Sequence, residues 1–382
     1  MSAVVFPFKR EDPDVLLKNV RTALAHPRVR RVVCVGAEED ECFATVARAA
    51  PNIARSSGKE VVVIVQERIG TKRPGKGDGM NSALRYLLTN TEHDRIHFYD
   101  ADILSFSEEW IAKAEEAADQ GYQVVRHYFP RASTDAMITW FITRTGFAIL
   151  FPRSELPRIE QPLGGELLVT RKVAEALLAD PRVQAQSDWG IDTLYTFATV
   201  AQGFSIYETY MGVGKVHKLY GSLGDLRTML IECFEALSSL AGASVAGTTL
   251  HHVEYQGPVS EAIKAKVGYD VDATLALLAE GWTERQAELL DHFPPEVRDG
   301  LNPSRRIPRV GCMDDKAWYD TYRVLLREYQ SENPEWQDLL FRLWAARVLA
   351  YTFSVALRGY DLAMHHLHQM VECYCRRAAG GS

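Results

Sequence analysis

The chain has 382 residues, of which 47% are hydrophobic and 24% are charged, and its formal net charge is −7. This length predicts one large and one smaller domain of ordinary globular composition, and the negative charge argues against general nucleic-acid binding. No apolar run approaches the roughly 18 residues of a membrane span, and the N-terminal segment does not have the pattern of a signal peptide. Six scattered cysteines favour reduced thiols and a cytoplasmic location over a disulfide framework.

The first 125 residues alternate between short apolar runs and segments with helical spacing. The predicted strands are 4–8, 32–35, 61–65, 96–99 and 124–128. The predicted helices are 14–25, 41–50, 81–88 and 108–118. Because strands that alternate with helices are joined by right-handed crossovers, the pattern predicts an α/β fold with a mostly parallel sheet.

The second half of the chain has a different pattern. A short strand and helix follow residues 164–165, and a helix at 192–201 precedes a strand at 205–210. Residues 244–258 are predicted to be a loop, and nearly every other segment after residue 226 has helical spacing. We therefore expect an α/β domain over residues 1–225 and a helical C-terminal domain over residues 226–382.

Two carboxylates come directly after the strand predicted at 96–99. Asp100 and Asp102 are two residues apart, and side chains at that spacing on an extended chain point to one side. At the carboxyl end of a parallel strand they would face the crevice where ligands bind. Paired carboxylates suit a hard divalent cation that also holds a diphosphate, which is typical of glycosyltransferases that use sugar nucleotides. The alternative is a solvated turn at the strand end, where Asp is common.

Polar or small residues follow four of the predicted strands. They are Lys9, Gly36, Gln66 and Asp100. Since the carboxyl ends of parallel strands meet at one edge of a sheet, all four are expected to line the same crevice. This agreement supports a ligand site more strongly than any one motif does.

Residues 68–81 form a glycine-rich, basic loop. Gly70-x4-Gly75-Lys76 imitates a phosphate-binding P-loop, but Gly77 stands where Ser or Thr would hold magnesium. A working P-loop is therefore not expected. The loop still suits a phosphate or a nucleobase, and a flexible connector is the alternative.

Three further residues have chemistry that fits such a crevice. The guanidinium of Arg131 would pair with an acceptor carboxylate, or else with a structural partner. Asp192 begins a predicted helix, where it would serve a site or simply cap the helix. His217 lies in a glycine-flanked loop and would complete a metal site with Asp102, or is a lone loop histidine.

Several long stretches resemble the mannosylglycerate synthase family, which consists of retaining glycosyltransferases of the GT-A type. The most similar stretches are 73–81, 97–102, 125–139, 160–167 and 187–197. The resemblance extends from Val4 to the helical C-terminus. It implies a GT-A (Rossmann-like) nucleotide-sugar domain that transfers mannose from GDP-mannose to D-glycerate with retention. The product would be the compatible solute 2-O-α-mannosylglycerate.

The resemblance also implies roles for individual residues. Those that would bind GDP-mannose are Pro7, Phe8, Lys9, Val35, Gln66, Lys76, Asp100, Ala101, Leu163, Asp192 and Tyr220. Those that would receive D-glycerate are Arg131, Ala136, Met137, Ile138 and Thr139, together with Tyr220. Asp102 and His217 would ligate a divalent metal, which is Mg²⁺, Mn²⁺ or Co²⁺. The candidate catalytic residues are Asp192, Arg131 and Lys9, and Asp192 is the side chain nominated as an alternative nucleophile.

Three alternatives stay open. A nucleotidylyltransferase normally has its glycine-rich basic loop after the first strand, whereas this loop follows the third. A non-catalytic sugar-nucleotide-binding protein has no need of Asp100, Asp102 and His217 together. A transferase with another small hydroxy acid as acceptor would use the same carboxylate clamp. Neither a nucleic acid nor a membrane is an expected partner, and the apolar C-terminal helices would suit a homo-oligomer.

Overall fold

The computed structural model describes residues 1–216, 222–255, 257–303 and 308–380. The strands are β1 (Ser2–Pro7), β2 (Val29–Gly36), β3 (Glu60–Val65), β4 (Arg95–Phe98), β5 (Val124–Tyr128), β6 (Leu167–Thr170), β7 (Ile206–Tyr210) and β8 (Leu250–His252). The helices of the first half are α1 (Pro13–Ala25), α2 (Glu41–Ser57), α3 (Lys76–Asn90), α4 (Glu108–Asp119), a π-helix (Thr139–Arg144), α5 (Thr145–Leu150), α6 (Arg171–Ala179), α7 (Pro181–Ala185) and α8 (Ile191–Ala201). Those of the second half are α9 (Arg227–Ser238), α10 (Glu261–Lys264), α11 (Val271–Ala279), α12 (Glu284–Leu289), α13 (Pro295–Gly300), α14 (Asp315–Glu328), α15 (Pro334–Ser354) and α16 (Tyr360–Ala378). Short 3₁₀ turns are at Leu156–Arg158, Leu223–Leu226, Leu290–His292, Val310–Cys312 and Ala356–Arg358.

All the strands of the described residues form one sheet, in the order β3-β2-β1-β4-β6-β5-β7-β8. Neighbouring strands are parallel except that β6 is antiparallel to both β4 and β5. The predicted α/β class with a mostly parallel sheet and a helical C-terminal region is therefore confirmed. The prediction of a loop over residues 244–258 is wrong, because β8 adds a three-residue edge strand there.

Register places the carboxyl ends of the first strands side by side. Pro7 of β1 lies beside Val35 of β2, and Gly36 lies beside Val65 of β3. Helices connect these parallel strands, and hydrogen bonds from nearby side chains cap some of the helix ends. Asp12 caps α1 by accepting a hydrogen bond from the Asp14 amide at 2.9 Å.

The chain divides into two compact units that are not continuous in sequence. Unit 1 comprises Met1–Pro130, Ile159–Lys218 and Ser244–Gly257, and contains the whole sheet. Unit 2 comprises Arg131–Arg158, Leu219–Ala243 and Pro258–Ser382, and is helical. The domain boundary near residue 225 stays a prediction.

Unit 2 is built around α15. The stretch Pro334–Arg358 is apolar and long enough to cross a membrane by length and composition, but 78% of its most apolar window is buried in the fold. Trp344 and Tyr351 of α15 are fully buried, as a core helix requires. All six cysteines are free thiols, which agrees with the predicted absence of a disulfide framework.

Candidate active site

The two carboxylates predicted from the sequence follow β4 at the carboxyl edge of the sheet. Asp100 comes one residue after Tyr99, whose amide donates to the carbonyl of Val5 at 3.1 Å and so extends the pairing with β1. The Asp100 carboxylate lies between two ammonium groups: Lys76 Nζ is 3.1 Å from Oδ1 and Lys215 Nζ is 2.5 Å from Oδ2. Both carboxylate oxygens of Asp100 are therefore paired.

Lys76 joins Asp100 to Asp192. It is the first residue of α3, and its ammonium group is 2.9 Å from Asp192 Oδ2. Asp192 lies in the first turn of α8, where the helix dipole stabilises a negative charge. The structure thus brings together three predicted site residues that are far apart in the sequence.

Lys215 joins Asp100 to Glu166 in the same way. Its ammonium group is 2.6 Å from Glu166 Oε1, and the Glu166 side chain is 1% exposed. Together Lys76, Asp100, Glu166, Asp192 and Lys215 form a chain of alternating charges, which we call the carboxyl-end cluster. Two of its buried oxygens, Glu166 Oε2 and Asp192 Oδ1, have no hydrogen-bond partner in the described part of the chain. These two acceptors are available to a ligand that donates hydrogen bonds.

Burial and pairing act differently on the three carboxylates. Burial alone would raise the pKa of Asp100, but Lys215 and Lys76 outweigh it and hold that pKa well below its usual range. Burial raises the pKa of Glu166 and of Asp192 in spite of their lysine partners. The carboxylates also overcome the effect of burial on both lysines and raise their pKa values, so both ammonium groups stay charged.

Gly165 packs closely against this cluster. A Cβ atom at that position would overlap Asp100 Oδ1 and would lie 2.6 Å from Lys76 Nζ. Gly164 stands next to Glu166, whose Oε2 would be 3.6 Å from a Cβ there. The glycine pair thus leaves the space in which the carboxylates and ammonium groups meet.

The glycine-rich loop is organised by a buried carboxylate. Asp78 is fully buried, pairs with Arg68 at 2.6 Å and accepts a hydrogen bond from the Gly70 amide at 2.8 Å. Gly70 and Gly77 have the main chain of residues 185–187 against the positions that a Cβ would take. Two of the loop's glycines therefore serve packing within the protein, and its Lys76 serves the carboxyl-end cluster.

The residues predicted to bind the nucleotide lie along the strand ends. Phe8 is buried, and its ring fills the space beside Gly36 and stacks on Phe43 with centroids 6.1 Å apart. The main-chain amide of Gln66 donates to the Gly36 carbonyl at 2.8 Å. Pro7 ends β1 and is partly buried, Val35 is fully buried, and Lys9 is exposed. The Val35 side chain faces the core, so a nucleotide would meet its main chain.

Leu163 lies in a loop that wraps around a buried arginine. The Arg126 guanidinium is 1% exposed and donates to the carbonyls of Gln161, Pro162 and Gly164. These bonds fix the loop on both sides of Leu163, which is partly exposed. Arg126 is thus a positioning residue for the segment predicted to line the sugar pocket.

The predicted acceptor residues lie in unit 2. Arg131 is partly buried, and its guanidinium Nε is 4.0 Å from Asp135 Oδ2. Ala136 has φ 56°, a left-handed conformation that costs a non-glycine residue energy and that is common at functional sites. Trp344 Nε1 donates to the Met137 carbonyl at 3.3 Å. Ile138 and Thr139 are buried, and Thr139 begins the π-helix, a form that is frequent at functional sites.

Two predicted residues, His217 and Tyr220, lie outside the described residues. Asp102 is partly exposed and Ala101 is buried, and both follow β4 as predicted. In the described part of the chain no three metal-ligating side chains converge. A divalent cation bound by one or two carboxylates and by the phosphates of a ligand does not need three, so the oxygen donors of Asp100 and Asp102 fit such an ion.

Sequence reasoning missed Glu166, Lys215 and Arg126 as parts of this site. A signal was present for two of them. Arg126 interrupts the apolar strand β5, and Glu166 directly precedes the apolar strand β6. A charged residue in a segment that must be buried has a partner in most folds, but its identity depends on tertiary structure. For Lys215 the sequence contained no such signal.

A mostly parallel, helix-covered sheet with paired carboxylates at its carboxyl edge is the arrangement of a GT-A glycosyltransferase. Residues 2–239 match the family model of the mannosylglycerate synthase GT domain, and residues 263–371 match that of the mannosylglycerate synthase C-terminal domain. The chain belongs to the mannosylglycerate synthase family.

Two individual proteins show the same relationship. Mannosylglycerate synthase of Rhodothermus marinus is 59% identical over 379 residues, covering 99% of this chain and 96% of its own. That of Selaginella moellendorffii is 53% identical over 376 residues, covering 97% and 89%. A crystal structure of glucosyl-3-phosphoglycerate synthase from Mycobacterium tuberculosis, in complex with Mn²⁺, UDP-glucose and phosphoglyceric acid, aligns with a TM-score of 0.48 and 19% identity. That alignment covers 63% of this chain and 79% of the other.

Proposed function

We propose that this glycosyltransferase is a metal-dependent, retaining mannosyltransferase that moves mannose from GDP-mannose to D-glycerate and produces 2-O-α-mannosylglycerate. The observation that carries the proposal is the carboxyl-end cluster, in which Lys76 holds Asp100 and Asp192 at 3.1 and 2.9 Å at the edge of the sheet. Family membership supports the product. The enzyme would act in the cytoplasm, in agreement with its free thiols.

Each residue has a role in this proposal. The strand ends at Pro7, Val35 and Gln66 would bind the guanosine, and Asp100 would bind the ribose side. Asp102 and His217 would hold the divalent ion, which would stabilise negative charge on the departing diphosphate. Asp192 Oδ1 is buried and unpartnered among the described residues, so it would accept a hydrogen bond from a mannose hydroxyl.

Arg131 would bind the acceptor through its carboxylate. A guanidinium pairs with a carboxylate bidentately, which would fix the orientation of the bound glycerate. Retention is accounted for by attack from the face of the leaving group, with a diphosphate oxygen taking the proton. Lactate or glycolate would bind the same guanidinium, so acceptor choice depends on contacts to the other hydroxyl groups.

The first test is product formation from GDP-mannose and D-glycerate with Mg²⁺, in the presence and absence of a chelator. We expect mannosylglycerate with metal and none with the chelator. Release of GDP without mannosylglycerate would contradict the acceptor, and equal rates with and without chelator would contradict the metal. No turnover with any GDP-sugar would contradict the proposed reaction and favour a non-catalytic sugar-nucleotide-binding protein.

The second test addresses the acceptor alone. Arg131→Ala should raise the KM for D-glycerate by roughly 10- to 100-fold, because it removes a charged pair of hydrogen bonds. It should leave the KM for GDP-mannose nearly unchanged. Arg158→Ala is the matched control, because Arg158 is an exposed arginine of the same unit that pairs with Glu155. Equal effects on both KM values would contradict the carboxylate assignment.

A further inference from the structure

Lys215 pairs with the Asp100 carboxylate, two residues before Asp102, the predicted metal ligand. Its ammonium group is 2.5 Å from Asp100 Oδ2 and 2.6 Å from Glu166 Oε1. The Lys215 side chain is 8% exposed, so little water screens its charge. The charge of Asp102 adds a smaller contribution than those of Asp100 and Glu166 to the raised pKa of Lys215. Lys215 is therefore a counter-ion of Asp100 and Glu166.

The segment that carries Lys215 is tied to the segment that follows the two aspartates. The Leu104 amide donates to the Val216 carbonyl at 2.7 Å. Ser105 Oγ donates to the Gly214 carbonyl at 2.8 Å and accepts from the Val216 amide at 3.0 Å. These bonds fix the Lys215 main chain beside the segment that follows the aspartates, so a change of acceptor needs only a rotation of its side chain.

Glu166 has the capacity to hold Lys215 alone. One of its oxygens already accepts from Lys215, whereas Oε2 is buried and has no hydrogen-bond partner among the described residues. An unpartnered buried carboxylate oxygen is costly, and an ammonium group with three donors relieves that cost. Glu166 thus offers Lys215 a second position away from Asp100.

We propose that Lys215 is an internal cation that opposes, by charge repulsion, the divalent metal assigned to Asp102, and that Glu166 takes over its ammonium group from Asp100 when the metal binds. A divalent ion close to a buried ammonium group meets strong repulsion, so the two cations are not both stable beside these aspartates. Lys215 and Glu166 are then positioning residues that set metal affinity. The inference rests on the metal dependence proposed above.

Direct metal binding tests the pair without turnover. Mn²⁺ is titrated into the protein without nucleotide, and then with GDP, and free Mn²⁺ is measured by electron paramagnetic resonance. Lys215→Met removes the competing charge and keeps the side-chain length, so we expect nucleotide-free Mn²⁺ to bind about tenfold more tightly. Lys113→Met is the matched control, since Lys113 pairs with Glu109 in the same unit, and it should leave the affinity unchanged.

Glu166→Gln should have the opposite sign. It leaves Lys215 with Asp100 as its remaining carboxylate contact, so Mn²⁺ should bind about three- to tenfold more weakly. Loss of a nearby negative charge would by itself also weaken Mn²⁺ binding. The double variant separates this direct effect from one that acts through Lys215. If Glu166 acts through Lys215, Glu166→Gln should have little effect in the Lys215→Met background.

Three results would overturn the inference. One is an unchanged Mn²⁺ affinity in Lys215→Met that still binds GDP with wild-type affinity. Another is a Glu166→Gln effect of the same size in both backgrounds. If neither wild type nor Lys215→Met binds Mn²⁺ with or without GDP, the proposed metal dependence fails as well. Lys215→Gln repeats the measurement should Lys215→Met not fold.

Discussion

Unit 1 contains two buried charge clusters at opposite ends of the same strands, and they differ in one respect. The amino-end cluster is centred on Glu115 of α4, near the start of β1 and β4. Glu115 Oε1 accepts from Ser2 and from His97 Nε2 at 2.9 Å, and Oε2 accepts from Arg95 and from Arg28 at 3.3 Å. Both of its carboxylate oxygens are satisfied within the protein, whereas the carboxyl-end cluster leaves Glu166 Oε2 and Asp192 Oδ1 without partners.

The difference separates a structural cluster from a ligand site. Burial would raise the pKa of Glu115, but His97, Ser2 and Arg95 outweigh it and hold that pKa well below its usual range. Burial instead prevails at Glu166 and Asp192, whose pKa values are raised. Complete pairing stabilises the fold, and incomplete pairing leaves acceptors for a substrate at a cost in stability.

Substitution of Glu115 should have the largest effect on stability. Glu115→Gln removes a buried charge that two arginines share, so we expect the free energy of unfolding to fall by about 3–5 kcal/mol. Denaturant unfolding measures the loss, and the folded fraction should keep its turnover. Glu116→Gln, at the adjacent exposed position, is the control and should change stability by less than about 0.5 kcal/mol. A stable Glu115→Gln variant would remove the distinction between the clusters.

His127, which contacts the main chain of Glu166, should make stability depend on pH. Its Nε2 is 2.8 Å from the Trp110 carbonyl and its Nδ1 is 3.3 Å from the Glu166 carbonyl, yet burial lowers its pKa from 6.5 to about 4. The unfolded chain therefore binds this proton first as the pH falls. The contribution of neutral His127 to the free energy of unfolding is fully present above pH 6.5 and should decline by about 3 kcal/mol as the pH falls toward 4.

The contribution of His127 is isolated by comparing pH slopes. His127→Gln should flatten the decline between these pH values relative to the wild type, because glutamine does not titrate. His292→Gln replaces an exposed histidine and should leave the slope as it is. An identical slope in His127→Gln would assign the decline to the carboxylates that also titrate in acid.

Asp192 should show the reverse of Glu115. Asp192→Asn removes the charge that faces Lys76 and changes the unpartnered acceptor, so turnover should fall about a hundredfold. Stability should be kept or rise, since burial disfavours the ionised form of Asp192. Asp180→Asn is the control, because Asp180 caps α7 and pairs with Arg182 outside the cluster. A near-normal rate would remove Asp192 from the active site.

The sequence predicted the main strands of the sheet, but it did not predict the short edge strand β8 or the antiparallel direction of β6. The apolar runs of β1, β2 and β3 are recognisable in the sequence, and they place the carboxyl edge of the sheet correctly. Strand β8 has three residues, too few for a period, and the antiparallel direction of β6 depends on contacts with β4 and β5. Short elements and strand direction are decided by tertiary packing.

The site was predicted in part for the same reason. Asp100 and Asp102 follow a strand that periodicity identifies, so their place at the edge follows from local sequence. Their neighbours do not, since Lys215 is 115 residues from Asp100 in the chain and reaches it through the fold. Resemblance to a family implied roles for Lys76 and Asp192, but the pairing of Lys215 with Glu166 depends on tertiary structure.

Gly165 should give the smallest and most local effect. A methyl group there would overlap Asp100 Oδ1 and approach Lys76 Nζ to 2.6 Å, and both groups end side chains that shift at modest cost. Gly165→Ala should therefore raise the KM for GDP-mannose about tenfold while changing stability by about 1 kcal/mol or less. Gly247→Ala is the control, because a Cβ at Gly247 would meet no atom within 4 Å.

The outcome for Gly165→Ala bears on the comparison of the two clusters. If spare acceptors at the carboxyl end serve the substrate, a small displacement of Asp100 and Lys76 should affect the donor before it affects the fold. A large loss of stability with an unchanged KM would instead show that the carboxyl-end cluster is structural, as the amino-end cluster is. For each variant, the change in the KM for GDP-mannose is therefore compared with the change in the free energy of unfolding. A large ratio for Gly165→Ala and a small one for Glu115→Gln would indicate that incomplete pairing marks a binding site in this protein.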